Sequence, residues 1–330
     1  MSGINWRELR LPPPPGLFLL QKLMERLPNK GKGRLPFQWW ISQRYLLDQG
    51  EISGFVQGEE GLFISLIPPV LGIGCLHDNK EVIGVENAVA FNRMVEHGAK
   101  GTVLADHKSF VDSFLIQLAL AVKCSLWDTA TKRFLPVIGM MYASRYPIES
   151  LLMRSVNFVA AVQPTMEVPK SAQRQARKIW EALKEQYPSA LTLGYVGLIF
   201  AEGTRSRCGA MEKASSGIVE VLRHQGSVYL PTAIEGPEKI MPPADGRGIP
   251  LPIFTQATRV IFGNPITFDW VNEKVAELQQ HFNISYRQAF IDVIYREIAL
   301  LHINHGDANY TGYYSRPLED IYTERIVKAS

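Results

Sequence analysis

Two short runs of this 330-residue chain carry residues whose types and spacing could do chemistry. The first is DHKSFVD at 106–112, with a histidine at 107 and an aspartate at 112. The apolar run TVLA at 102–105 reads as a buried strand ending just before it, and residues 109–122 read as the helix that follows. Open α/β sheets place their ligands at such strand-to-helix turns. A carboxylate folded back onto His107 would fix the imidazole tautomer and leave the other ring nitrogen as a general base, able to take the proton of a substrate hydroxyl. The run supplies base and orienter but no nucleophile of its own. The plain alternative is a helix-capping Asp112 beside an incidental His107. If the pair is catalytic, alanine at either position is expected to abolish activity and leave the fold nearly unchanged.

The second run is LIFAEGTRSR at 198–207, an apolar strand leading into a polar loop. Gly203 permits a tight turn where backbone N–H groups can converge. Arg205 and Arg207 fall on one side of any extended segment, and arginine binds phosphate through paired hydrogen bonds. Glu202 could accept a hydrogen bond from a hydroxyl. Glu202, Gly203, Thr204, Arg205 and Arg207 are therefore candidate substrate-binding residues, with an ordinary surface loop as the alternative.

The elements needed to position these runs alternate along the chain. Strands are expected at 81–85, 102–105, 156–162, 194–200, 227–234 and 259–262, and helices at 86–96, 109–122, 169–187, 212–224, 270–280 and 284–302. This alternation predicts an α/β fold, a mixed, largely parallel sheet covered by helices on both faces. Residues 80–270 form the expected catalytic domain, with C-terminal helices at 271–330 packed on it. Residues 1–79 form an expected N-terminal helical extension, opened by the proline run 12–15. Its stretch 17–27 repeats leucines at helical spacing and could lie on a membrane surface or pack on the main domain. The apolar run 62–76 is too short to span a bilayer and is broken by Pro68, Pro69, Gly72 and Gly74.

Composition narrows the classes. The chain is 46% hydrophobic and 20% charged, which excludes a disordered chain or a long coiled coil. Three cysteines with no Cys-x-x-Cys pair exclude a disulfide scaffold and a zinc ribbon. The seven histidines include no His-Glu-x-x-His pair, so no metal site is expected; His302 and His305 read as a polar helix end. No nucleotide-binding glycine loop or nucleic-acid module is evident. Net charge is only +3, yet between 123 and 213 basic residues outnumber acidic ones 13 to 7. That surplus suits an anionic ligand or membrane surface, and scatter of surface charge would also produce it.

Taken together and in order, the two runs resemble the glycerolipid acyltransferase family, which includes the glycerol-3-phosphate and lysophosphatidate acyltransferases. Residues 107–112 resemble its first block, and 200–206 its third, with Ala201 where proline is common. VYLPTAIEG at 228–236 resembles its fourth block, and VIFGNPI at 260–266 its final strand and turn. KRFLPVIG at 132–139 resembles the opening of the second, which makes Lys132 a further candidate ligand. The family closes that block with an arginine, whereas NFVAAVQP at 157–164 has none, and this leaves the acceptor open.

The resemblance implies direct acyl transfer. His107 would deprotonate an acceptor hydroxyl, Asp112 would orient the ring, and the alkoxide would attack the thioester of an acyl-coenzyme A or acyl-carrier protein. Glu202, Arg205 and Arg207 would hold the acceptor's polar head. No cofactor beyond the acyl donor is implied. The expected setting is cytoplasmic and peripheral to a membrane. The rivals are a different lipid acceptor and a catalytically silent lipid-binding protein.

Overall fold

The computed structural model describes residues 55–56, 82–109, 111–139, 157–161, 170–203, 206, 209–240, 258–305 and 310–329. Except for 55–56, the expected N-terminal extension lies outside these residues, including the segments at 17–27 and 62–76.

In chain order the elements are β1 (Phe55–Val56), β2 (Val82–Ile83), α1 (Val85–Glu96), β3 (Lys100–Ala105) and α2 (Asp112–Leu118). Two π-helical turns follow, Ala119–Lys123 and Thr129–Arg133, then β4 (Phe134–Gly139), β5 (Phe158–Ala161), α3 (Lys170–Thr192) and β6 (Val196–Ile199). A 3₁₀ turn at Ser216–Ile218 leads into α4 (Val219–Leu222), β7 (Ser227–Glu235) and α5 (Pro237–Ile240). The chain continues through β8 (Arg259–Phe262), β9 (Ile266–Thr267), α6 (Phe268–His281), α7 (Tyr286–His305) and α8 (Leu318–Ala329).

The strands form one sheet in the order β1-β5-β4-β6-β3-β7-β8-β2, with β9 on β7. The central run β5-β4-β6-β3-β7 is parallel throughout, and β8 and β9 run antiparallel to β7. The fold is thus the expected mixed, largely parallel α/β sheet. Strand alternation sends successive side chains to opposite faces. Val103 and Ala105 of β3 pack with Ala88, Phe91 and Phe114 of α1 and α2. Leu104 between them packs on the other face with Leu183 of α3, Val275 of α6 and Phe290 of α7. Both faces are covered, which explains why the central strands read as continuous apolar runs.

Three departures from the sequence reading have physical reasons. Helix α3 runs to Thr192, through the internal Pro188, rather than stopping at 187. Burial of Ala190 and Leu191 in the second core offsets the backbone hydrogen bond that proline removes. The helix expected at 212–224 shrinks to a 3₁₀ turn and the four residues of α4. The residues leading into it are held on another course: Met211 N–H donates to Tyr310 Oη, Glu212 N–H to the Glu202 carboxylate, Ala214 N–H to Tyr314 Oη and Ser215 N–H to the Ala201 carbonyl. Strand β4 and helix α8 were not anticipated.

Candidate active site

His107 follows directly on the carboxyl end of β3, and Asp112 opens α2. Between them the chain folds back so that Asp112 Oδ2 accepts from His107 Nδ1 at 3.0 Å. The same oxygen accepts from the Lys108 N–H at 2.7 Å and the Ser109 N–H at 2.8 Å. Five-residue spacing closes because one carboxylate oxygen gathers the turn's amides, and the imidazole is seated by the same contact. Asp112 is fully buried. Burial raises its carboxyl above the ordinary value, against the lowering effects of His107 and the two amides.

With its Nδ1 proton donated to Asp112, the neutral ring of His107 presents a lone pair at Nε2. Among the described residues nothing bonds Nε2. The side chain is 20% exposed, and the ring stacks on Phe200 at 4.3 Å and 19°. The ring is thus fixed on one edge and one face, and the side chain is partly exposed. Phe200 belongs to the second run and follows directly on β6, so the aromatic face comes from the end of the strand beside β3.

Glu202 ties the two runs together. One carboxylate oxygen accepts from the His107 N–H at 2.9 Å and the other from the Glu212 N–H at 2.7 Å. Ser206 N–H returns a bond to the His107 carbonyl at 2.7 Å. Glu202 is 8% exposed, and burial, followed by the nearby Asp106 carboxylate, pushes its pKa well above the usual carboxylate range. The sequence suggested that Glu202 meets a substrate hydroxyl. The structure instead has both its oxygens holding backbone amides of the site. Gly203 turns the chain at φ 74°, a left-handed conformation that glycine adopts without the penalty other residues incur. Thr204, Arg205 and Arg207 lie outside the described residues.

Lys132 is the clear correction. It sits in the turn that precedes the amino end of β4, and its ammonium pairs with Asp128 at 2.9 Å on an exposed surface. Strands β4, β6 and β3 are parallel, with Phe134 level with Val196 and Thr102 level with Gly197. Lys132 therefore stands at the opposite edge of the sheet from His107, on the order of 20 Å away at ~3.3 Å per strand residue. Sequence proximity to a motif concealed this because a parallel strand carries its two ends to opposite edges. Arg133 beside it pairs with Glu96 at 3.6 Å.

Several residues of the site carried no motif signal. Tyr295 of α7 donates from its hydroxyl to the Ala105 carbonyl at 2.9 Å and accepts from the Ala201 N–H. One buried hydroxyl thus clips together the ends of the two strands that carry His107 and Glu202. Tyr295→Phe should lower unfolding free energy by about 1–3 kcal/mol, because a buried amide loses its acceptor. Chemical denaturation checks this, and an unchanged midpoint would contradict the clip.

Asp106 and Lys108 flank His107 and point to the other face of the sheet, both almost wholly buried. Lys108 Nζ lies 3.1 Å from Asp106 Oδ2 and donates to the Ile234 carbonyl at 2.7 Å. Two charges on a strand end amid apolar residues were the signal available in the sequence. Cys124 is buried and its thiol is pushed up to about 12, chiefly by burial, which removes it as a nucleophile.

A strand of the sheet thus delivers an aspartate-oriented histidine to the edge at which open α/β sheets place their ligands. Residues 82–235 match the family model described as Acyltransferase. The matched span begins at β2 and ends with β7, so it contains His107, Asp112 and Glu202. Among solved structures the chain is similar to the 1-acyl-sn-glycerophosphate (LPA) acyltransferase PlsC of Thermotoga maritima. Identity is 17%, over 80% of this chain and 88% of that one, with a TM-score of 0.37. Comparison with curated proteins finds no match.

Proposed function

We propose that the protein transfers a fatty acyl group from an acyl-coenzyme A or acyl-carrier protein to a hydroxyl of a glycerophospholipid precursor, lysophosphatidate or glycerol 3-phosphate. The observation that carries the reading is the His107–Asp112 pair, with the partly exposed ring held at the carboxyl end of β3. Nε2 takes the acceptor's hydroxyl proton as its oxygen attacks the thioester carbonyl. The imidazolium is stabilised by Asp112. Collapse of the tetrahedral adduct breaks the carbon–sulfur bond, and the thiolate leaves with the proton returned by His107. No acyl-enzyme is needed.

The backbone amides of His107, Lys108, Ser109 and Ser206 are already donated to Glu202, Asp112 and the His107 carbonyl. The developing oxyanion is therefore met by other groups. Thr204, Arg205 and Arg207 are proposed to hold the acceptor's polar head, with the arginines on its phosphate. Among the described residues no helix is long and apolar enough to cross a membrane. We place the enzyme at the cytoplasmic surface of a membrane as a peripheral protein, because its acyl chain and product belong there.

The decisive assay offers labelled acyl-coenzyme A and acyl-carrier protein to the purified protein with glycerol 3-phosphate, lysophosphatidate and non-phosphorylated lysolipids. Transfer to a phosphorylated acceptor is expected, with Arg205→Ala raising its KM and leaving kcat near wild type. Transfer only to non-phosphorylated acceptors would replace the acceptor class; no transfer at all would leave a lipid-binding protein.

A further inference from the structure

We propose that His302 of α7, far along the chain from the motifs, is a doubly donating imidazolium that positions the catalytic loop from the opposite face of the sheet. The role rests on the acyl-transfer reading for its kinetic consequence, while its structural basis is independent of that reading.

The geometry carries the proposal. His302 is 1% exposed. Its Nε2 lies 3.1 Å from Asp106 Oδ2 and its Nδ1 3.4 Å from Glu235 Oε1. Both partners are carboxylates, which only accept, so each contact requires a proton on the ring nitrogen. Neither carboxylate is available as a donor. Asp106 Oδ1 accepts from the Ile234 N–H at 3.0 Å, and its Oδ2 also faces Lys108 Nζ. Glu235 Oε2 accepts from Arg259 at 3.0 Å.

Burial alone would raise the Asp106 carboxyl, but Lys108, His302 and the Ile234 amide outweigh it and hold the group far below the usual range. Burial likewise works to lower His302, and Asp106 with Glu235 reverses this, so its pKa lies above the ordinary 6.5. The remaining groups facing the cluster are Tyr310, stacked on the His302 ring at 4.6 Å, Glu238 and Asp112 acting on Lys108, and Glu202 acting on Asp106.

Asp106 and Lys108 bracket His107 in the chain, so whatever fixes their side chains fixes the backbone on both sides of the catalytic ring. α7 does so twice, through Tyr295 at the strand ends and His302 at the loop. Because the folded pKa of His302 is raised, the stabilisation it gives is complete below its ordinary value and is lost as pH rises through the folded value. Deprotonation removes one of the two donated hydrogen bonds and a charge facing Asp106. The loop then loosens, and kcat should fall while KM stays nearly constant.

The test pairs a turnover-independent measurement with kinetics. In wild-type protein, ring ¹⁵N shifts should show both nitrogens of His302 protonated at pH 7. In H302Q, amide exchange at Ile234, Lys108 and Ser109 should be at least about tenfold faster, and kcat should fall by about tenfold to a hundredfold with KM within twofold, as expected when a reacting group is misplaced. The wild-type kcat should decline toward the H302Q level on the alkaline side, and H302Q should lack that decline. A neutral ring at pH 7 overturns the proposal, and that measurement stands even where H302Q fails to fold. Unchanged exchange and kcat in a folded H302Q also overturn it. Wild-type protein inactive with every donor would sink the acyl-transfer reading, and the shifts and exchange rates would still decide the role of His302.

Discussion

Alanine at position 107 should lower kcat for acyl transfer by about 10²–10⁴-fold, the usual contribution of a positioned general base. The protein should remain folded. His107 is partly exposed, and its removal forfeits one ring stack on Phe200 and one hydrogen bond to Asp112. Its backbone N–H and carbonyl keep their partners in Glu202 and Ser206, because those contacts do not involve the side chain. The measurement is kcat under saturating acyl donor alongside a thermal unfolding scan. Activity within tenfold of wild type in a folded variant would exclude His107 as the base.

Asp112 should separate into two effects that His107 does not. Asp112→Asn keeps an acceptor oxygen near the Lys108 and Ser109 amides but removes the charge that stabilises the imidazolium. Its kcat should fall by about 10²–10⁴-fold in a folded protein. Asp112→Ala leaves two buried amides without an acceptor, at a cost of about 1–3 kcal/mol for each. The sequence reading expected alanine here to leave the fold untouched. A wholly buried carboxylate that gathers the turn's amides argues for a loss of stability at Asp112. Urea denaturation of the two variants checks the distinction: an alanine variant as stable as the asparagine one would show that Asp112 does not hold the turn.

The central sheet was legible because its physics is local. A parallel strand covered on both faces needs an unbroken apolar run, and TVLA at 102–105 and SVYLPTAI at 227–234 are such runs. The His107–Asp112 spacing was likewise readable, since the turn that joins them is only a few residues long. The helix expected at 212–224 failed for a non-local reason. The residues at its expected start are held by Tyr310, Tyr314, Glu202 and Ala201, and no window around residue 212 contains those partners. Lys132 failed for a topological reason. Its motif lies near the others in sequence type, and strand direction alone decides which edge of the sheet receives it.

His302 shows the same limit from the other side. Read along the chain, it is one of two histidines at the end of an amphipathic helix, and a solvated helix end is the natural expectation. In the fold it is buried against Asp106 and Glu235, whose positions in the chain precede it by 196 and 67 residues. The sequence by itself determined the α/β architecture and which histidine and aspartate could act together, because periodicity and short spacing are properties of neighbouring residues. Only the tertiary structure decided that Glu202 accepts from backbone amides, that Lys132 stands at the far edge and that Tyr295 and His302 of α7 bond to Ala105 and Asp106 beside His107. Those outcomes depend on which distant groups compete for the same buried hydrogen bonds, and a buried donor or acceptor takes whichever partner the packed chain brings within reach.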